Sequence, residues 1–223
     1  MERNGKGILA IVSHPDDETF GCGGTLALHA VNGFETDVLC LTCPSEERRE
    51  EVNRASGALG LSEPIVFDKK HIILDEGLTR MVSEVITSRR PRIVITHVPF
   101  DYHREHRLAH GLVKDAVEWA AHYTTNEEPW IVERFLLMEV NTLIPSPHIL
   151  VDISKVIQKK LDAIEEFQSQ LDKIPWGYYE SFNLKKAELR GVQAGCGYAE
   201  AFQEEPLARN SPFYNSKREL SLL

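Results

Sequence analysis

The sequence predicts an α/β protein built on one mostly parallel central sheet. Short apolar runs alternate with amphipathic stretches from Gly7 to Tyr123, two of the runs end in polar clusters, and no Ser/Gly-rich linker or repeat interrupts the chain. With 223 residues a sizeable core can form, and one domain spanning residues 1–223 is expected.

The first apolar run, Gly7 to Ser13, reads as a buried strand, and Gly24 to Asn32 as the helix that follows it. Thr36 to Thr42 is the second strand, and Ser45 to Leu59 the second helix, stopped by Gly60. Pro64 to Phe67 is a third strand, Glu76 to Arg89 a helix, and Arg92 to His97 a fourth strand. A helix from about Glu105 to Tyr123 carries Leu108, Leu112, Val113, Ala116 and Val117 on one side. Ile131 to Val140 and His148 to Ile153 read as strands, the latter an edge or hairpin extension because Pro145 and Pro147 precede it. Ser154 is placed as the cap of a helix running to about Leu171, with a last helix from Leu184 to Gln193 and a loosely held tail from Glu204.

The net charge of −9 argues against a phosphate-backbone partner, so no nucleic acid is expected. The segment Met1 to Lys6 has no apolar signal core, and no run approaches the ~20 apolar residues of a membrane span. A cytoplasmic protein is expected. Cys22, Cys40, Cys43 and Cys196 fit that compartment, and the Cys40-Leu41-Thr42-Cys43 pair reads as two small residues in a sheet.

Ser13-His14-Pro15-Asp16-Asp17-Glu18 places an imidazole and three carboxylates at the end of the first strand, where open α/β sheets bind ligands. Burying such a group calls for something positive, and a divalent metal is the simplest candidate. The alternative is an acidic helix start facing the macrodipole. Four histidines, His97, His103, His106 and His110, fall within fourteen positions after the fourth strand, on the same sheet edge. His106 and His110 have zincin spacing, but Arg107 stands where the zincin glutamate belongs. His14 and Asp17 from one loop with His106 from the other would instead give three ligands and an open position, as in a catalytic zinc site. That chemistry is hydrolysis of an amide or ester, with Asp16 and His103 free for acid–base work. Iron(II) accepts the same ligands.

These residues resemble the LmbE-like, or PIG-L, metal-dependent de-N-acetylases. The family carries Ala-His-Pro-Asp-Asp-Glu after its first strand and a distal His-Pro-Asp-His; here they read Ser13 to Glu18 and His103-Arg104-Glu105-His106. Gly21 to Leu26, Arg48 to Glu51 with Ala55 and Leu59-Gly60, Val151 to Ser154, Ser169-Gln170 and Gly197 to Phe202 extend the resemblance, leaving out only about the last twenty residues. It implies a Rossmann-like three-layer LmbE-like fold and removal of the N-acetyl group from an N-acetylglucosamine-type conjugate, by attack of zinc-bound water. It also implies zinc ligands His14, Asp17 and His106, with Asp16 as general base. His103 would stabilise the tetrahedral intermediate or protonate the amine, and Arg48 would line the substrate pocket.

Asp101, next to His103 on the rim, is a second candidate substrate contact. Glu105 replaces the family's aspartate and should still orient an imidazole. Ser13 replaces alanine, with a hydroxyl able to donate, and Phe167 stands where many members have histidine. Trp176, Tyr178 and Tyr179 read as core aromatics, with sugar stacking as the alternative.

The partner implied is a small-molecule amino-sugar conjugate, with a homo-oligomer left open. Three rival functions remain: an amidase of the same family acting on a thiol conjugate, a non-catalytic metal-binding module and a nucleotide-binding module. The last is disfavoured because Leu26 stands where a third fingerprint glycine would, counted from Gly21.

Overall fold

The computed structural model describes residues 7–122, 128–174 and 176–207. Seven strands form one sheet in the order β3-β2-β1-β4-β5-β7-β6. Strands β1 (Ile8–Val12), β2 (Thr36–Cys40), β3 (Ile65–Val66), β4 (Ile93–His97) and β5 (Arg134–Met138) pair in parallel. Strands β6 (Ile149–Asp152) and β7 (Ala199–Glu205) add an antiparallel extension, with β7 inserted between β5 and β6.

The helices are α1 (Asp17–Val31), α2 (Glu46–Leu59), α3 (Glu76–Arg89), α4 (Arg104–Ala120), α5 (Ile157–Glu165), α6 (Gln168–Leu171) and α7 (Tyr178–Ala194). Both faces of β1 are buried, and they feed different cores. Ile8, Ala10 and Val12 pack with α1, α2, α5 and α7, whereas Leu9 and Ile11 pack with α3 and α4. Two helical layers around a sheet is therefore the three-layer fold expected from the sequence.

Local chemistry fixes the element ends. Ser45 caps α2 by accepting from the Arg48 N–H at 3.3 Å, and Gly60 ends that helix in the left-handed region at φ 82°. Asp75 caps α3 through the Leu78 N–H at 2.7 Å. The fold seats α1 closely on the sheet side: a Cβ added at Gly24 would lie 2.6 Å from Ile153 Cδ1, and one at Gly21 2.5 Å from Met138 Sδ. These glycines serve close packing.

Several expectations need correction. α1 begins seven residues before Gly24, at Asp17, because Asp16 already turns the chain; α7 likewise begins at Tyr178, not Leu184. The helix expected from Ser154 to Leu171 starts at Ile157 and is broken around Phe167, whose buried ring anchors the break. Ser154 is no cap: its Oγ donates to Asp152 at 2.6 Å and accepts from the Tyr198 N–H at 3.0 Å. Glu204 and Glu205 lie in β7, not in a loose tail. Tyr123, the segment Met1 to Lys6 and the chain after residue 207 lie outside the described residues. Cys40 and Cys43 are buried and free. Among the described residues, no helix is long and apolar enough to cross a membrane.

Candidate active site

The first and fourth strands are neighbours, so their carboxyl ends bring the two polar clusters together. The Ser13 N–H donates to His97 Nε2 at 2.9 Å, closing the gap between the clusters. An acceptor Nε2 leaves the proton on Nδ1, and burial with the nearby His106 charge pushes His97 well below the usual histidine range. His97 thus serves as a neutral strut between the two clusters. The Ser13 hydroxyl, expected to donate, has no partner among the described residues.

Asp17 sits at the centre. Its Oδ2 accepts the His14 N–H at 2.9 Å and lies 3.3 Å from His14 Nδ1, while Oδ1 lies 3.1 Å from His106 Nε2. Each of these imidazoles is held from behind by a second carboxylate. Glu105 Oε2 lies 2.6 Å from His14 Nε2, and Asp101 Oδ1 lies 3.4 Å from His106 Nδ1. One nitrogen of each ring is therefore committed outward, and the other faces Asp17.

That pattern is the one by which outer carboxylates orient metal-ligating histidines, so His14, Asp17 and His106 fit a divalent ion. Potential ligand atoms lie within 4.8 Å of one another in two overlapping sets, His14/His103/His106 and Asp17/His97/His106; each holds two of the three expected ligands and neither holds all three. His106 is common to both. Burial opposes charge on the two imidazoles, yet Asp17 and Glu105 lift His14 to about 9, and Asp17 and Asp101 lift His106 to about 10. Burial would raise Asp17, but the imidazoles, His106 foremost, hold it well below the carboxylate range. The site demands positive charge at its centre.

Asp16 occupies a strained turn at φ 125°, a conformation that costs a non-glycine residue about 1–3 kcal/mol. Glu18 Oε2 accepts its N–H at 3.0 Å, and Arg48 donates to both the Pro15 carbonyl and Asp16 Oδ2, the latter at 2.7 Å. Burial raises the Asp16 carboxyl to about 7 against the pull of Arg48. This is the range of a working general base at neutral pH.

These groups open into a pocket of about 490 Å³ whose wall includes Asp16, Arg48, Tyr102, His103, Asn141 and Tyr179. His103 precedes α4, and its Nδ1 has no partner among the described residues. Burial, then the charges of His106 and His14, hold it below the usual histidine range.

Of the two expected substrate contacts, Asp101 lies outside the pocket wall and Arg48 lies in it. Asp101 is 1 % exposed behind His106, fixed by the His103 N–H at 2.8 Å and the Asn141 N–H at 3.3 Å, and does not line the pocket. Arg48 does line it, but its guanidinium is committed to Asp16 and to Glu51, 2.8 Å away. Phe167 lies beneath Arg48, its ring centre 5.4 Å from the guanidinium carbon, so it supports the arginine. Of the three aromatics read as core, Tyr179 stacks on Phe20 and lines the pocket, whereas Trp176 is 68 % exposed.

Sequence reasoning gave no role to Glu51 or Asn141. Glu51 receives the Ser169 N–H and Oγ–H at 2.7 and 2.8 Å as well as Arg48, and the i, i+3 spacing from Arg48 was its available signal. Asn141, with Nδ2 3.5 Å from His106 Nδ1, carried no signal at all.

The family described as PIG-L, GlcNAc-PI de-N-acetylase, matches the chain over residues 9–117. A diacetylchitobiose deacetylase of Thermococcus kodakarensis is 27% identical over 90% of this chain and 84% of its own. A 1D-myo-inositol 2-acetamido-2-deoxy-alpha-D-glucopyranoside deacetylase of Rhodococcus erythropolis is 30% identical over 60% of this chain and 61% of its own. A 4-oxalmesaconate hydratase of Pseudomonas putida is 27% identical over 85% of this chain and 81% of its own. Among solved structures, a conserved protein of Thermus thermophilus superimposes with a TM-score of 0.84 at 28% identity, covering 94% of this chain and 99% of that one.

Proposed function

Residues 9–117 form a PIG-L (LmbE-like) family domain, and on that premise we propose that the whole chain, residues 1–223, is one catalytic domain that removes the acetyl group from an N-acetylglucosamine-type conjugate. The observation that carries this reading is the Asp17 carboxylate flanked by His14 and His106, each backed by an outer carboxylate, at the base of a pocket that also presents Asp16 and His103.

His14, Asp17 and His106 would hold zinc. Bound there, zinc would polarise the acetamide carbonyl and lower the pKa of water. Asp16, raised by burial and aimed by Arg48, takes a proton from the water that attacks the acetamide carbon. The carbon–nitrogen bond then breaks as the proton taken by Asp16 reaches the departing nitrogen, with His103, neutral at rest on the pocket wall, as its relay. Acetate and a free amino sugar leave. Asp101 and Glu105 keep the two imidazoles turned inward throughout.

The likeness to a hydratase supplies a second reading, addition of water to an unsaturated acid. Beyond its imidazoles, the pocket offers such an acid no uncommitted guanidinium or ammonium among the described residues. An acidic substrate would meet Asp16, Asp17 and Glu47, while Arg48 is already engaged and Lys173 donates to Gln170 Oε1 at 2.6 Å. The test is acetate release from N-acetylglucosamine conjugates by parent and Asp16→Asn proteins with zinc content measured alongside. The variant should lose about 10²–10⁴-fold in turnover while retaining zinc. Undiminished acetate release would end this mechanism.

A further inference from the structure

Helix α1 is interrupted at Cys22, whose φ of −141° and ψ of 15° are not helical. In an unbroken helix the Gly24 N–H would bond the Phe20 carbonyl, and the Thr25 N–H that of Gly21. Charged side chains take over these roles. Glu200, on β7, accepts the Gly24 N–H at 2.8 Å with Oε1 and the Thr25 N–H at 2.7 Å with Oε2. The Phe20 carbonyl accepts from Lys160 of α5 at 3.2 Å and from Lys186 of α7 at 3.0 Å. Lys160 and Glu200 are themselves paired at 2.6 Å, which closes the ring. All three side chains are buried, at 1 %, 7 % and 4 % exposure for Lys160, Lys186 and Glu200.

Lys186 does more than mend the helix. Its ammonium also donates to the carbonyls of Glu139 and Val140, at 2.9 and 3.2 Å, just after β5. The next residue, Asn141, meets His106 and Asp101. One buried nitrogen thus joins the segment that carries Asp17 to the segment that braces His106.

We propose that Glu200, Lys160 and Lys186 are positioning residues for the reaction: they hold the break in α1 and so set the Asp16–Asp17 turn against the Asp101–His106 half of the site. An unbroken helix could pack here without any buried ion, and a buried ion pair is often no more stabilising than apolar side chains of equal volume. What the ions secure is a bend. It lets Asp17 to Gly21 point differently from the rest of α1, while Gly21 and Gly24 seat the two pieces on Met138 and Ile153. The inference rests on the function proposed above, and it accounts for Lys160 and Glu200, neither of which reaches the pocket.

The test compares parent, Lys186→Met and Glu200→Gln by zinc affinity, kcat and KM, and amide exchange at Gly24 and Thr25. Zinc affinity is read by competition with a chromophoric chelator, and kcat and KM on an N-acetylglucosamine conjugate. The expected result for Lys186→Met is a 10–100-fold loss in zinc affinity or kcat with KM within about twofold. Faster exchange at both amides is expected in Glu200→Gln. If Lys186→Met does not fold, Glu200→Gln decides on the same readings. Unchanged zinc affinity and kcat in a folded variant, or a change in KM alone, would overturn the proposal, whatever happens to the melting temperature. If the parent binds zinc but releases no acetate, the function proposed above fails, and zinc affinity alone then decides the positioning role.

Discussion

Two clusters of buried charge flank α1, and they are built on opposite terms. On the pocket side, Asp16, Asp17, Glu18, Asp101 and Glu105 stand with a single guanidinium, that of Arg48, which pairs with Asp16, and the remaining positive charge falls to imidazoles driven to about 9 and 10. On the far side, Glu139 and Glu200 meet Arg190, Lys160 and Lys186, whose other donors are absorbed by backbone carbonyls. The second cluster is closed within the protein: two ion pairs, with the third basic group, Lys186, held by backbone carbonyls. On the function proposed above, the first is completed by an ion from outside, and that difference would separate a site from a strut when both are built of the same residue types.

Four experiments press on the contrast. The largest effect should come from chelation. Stripping the metal should abolish acetate release, and zinc should restore it, whereas a denaturation curve should still show one cooperative transition from the closed cluster and core. Next, Glu139→Ala leaves Arg190 buried without its carboxylate and should cost about 3–5 kcal/mol in denaturant unfolding. A cost below about 1 kcal/mol would mean that the closed cluster is not a strut.

Asp101→Asn should act on the open cluster instead, lowering zinc affinity or turnover about 10–100-fold with a much smaller loss of stability. The smallest effect concerns pH. Asp16 works as a base only when ionised, so the rate should fall as pH drops below about 7, and Arg48→Gln should shift that acid limb upward because the cation holding the carboxyl down is gone. A downward shift or none would show that Arg48 does not govern Asp16.

Most of the parallel half of the fold was legible because β1 to β4 are each a compact apolar run followed by a helix, some with marked ends such as Ser45 and Gly60 around α2. The antiparallel half was less so. β7 reads AEAFQEE, and only its first four residues are buried, so the periodicity is half missing. The helix break at Cys22 left no trace in hydropathy, since glycines on either side suit a helix end, a turn or close packing equally well. At the site, residues that reach the pocket from sequence-adjacent motifs, namely His14, Asp16, Asp17, His103 and His106, were found from spacing and resemblance. The depth of Asp101 and the arrival of Glu51 and Asn141 depend on packing between distant segments, which a single sequence does not encode locally.

The insertion of β7 between β5 and β6 carries a consequence for the order in which the molecule comes together. The hydrogen bond from Gly24 to Glu200 spans 176 positions of chain, so during synthesis the acidic motif near the start emerges long before the carboxylate that bends its helix. Long-range pairing of this kind is slow, and a ribosome adding 5–20 residues per second would hold the early parallel strands waiting for roughly 10–35 s. Until β7 docks, β5 presents an open edge and α1 lacks the partner for its break. Competence is therefore conferred last, by a strand that never touches the substrate pocket, and a chain stopped before Glu200 would be expected to keep its motif but not its geometry.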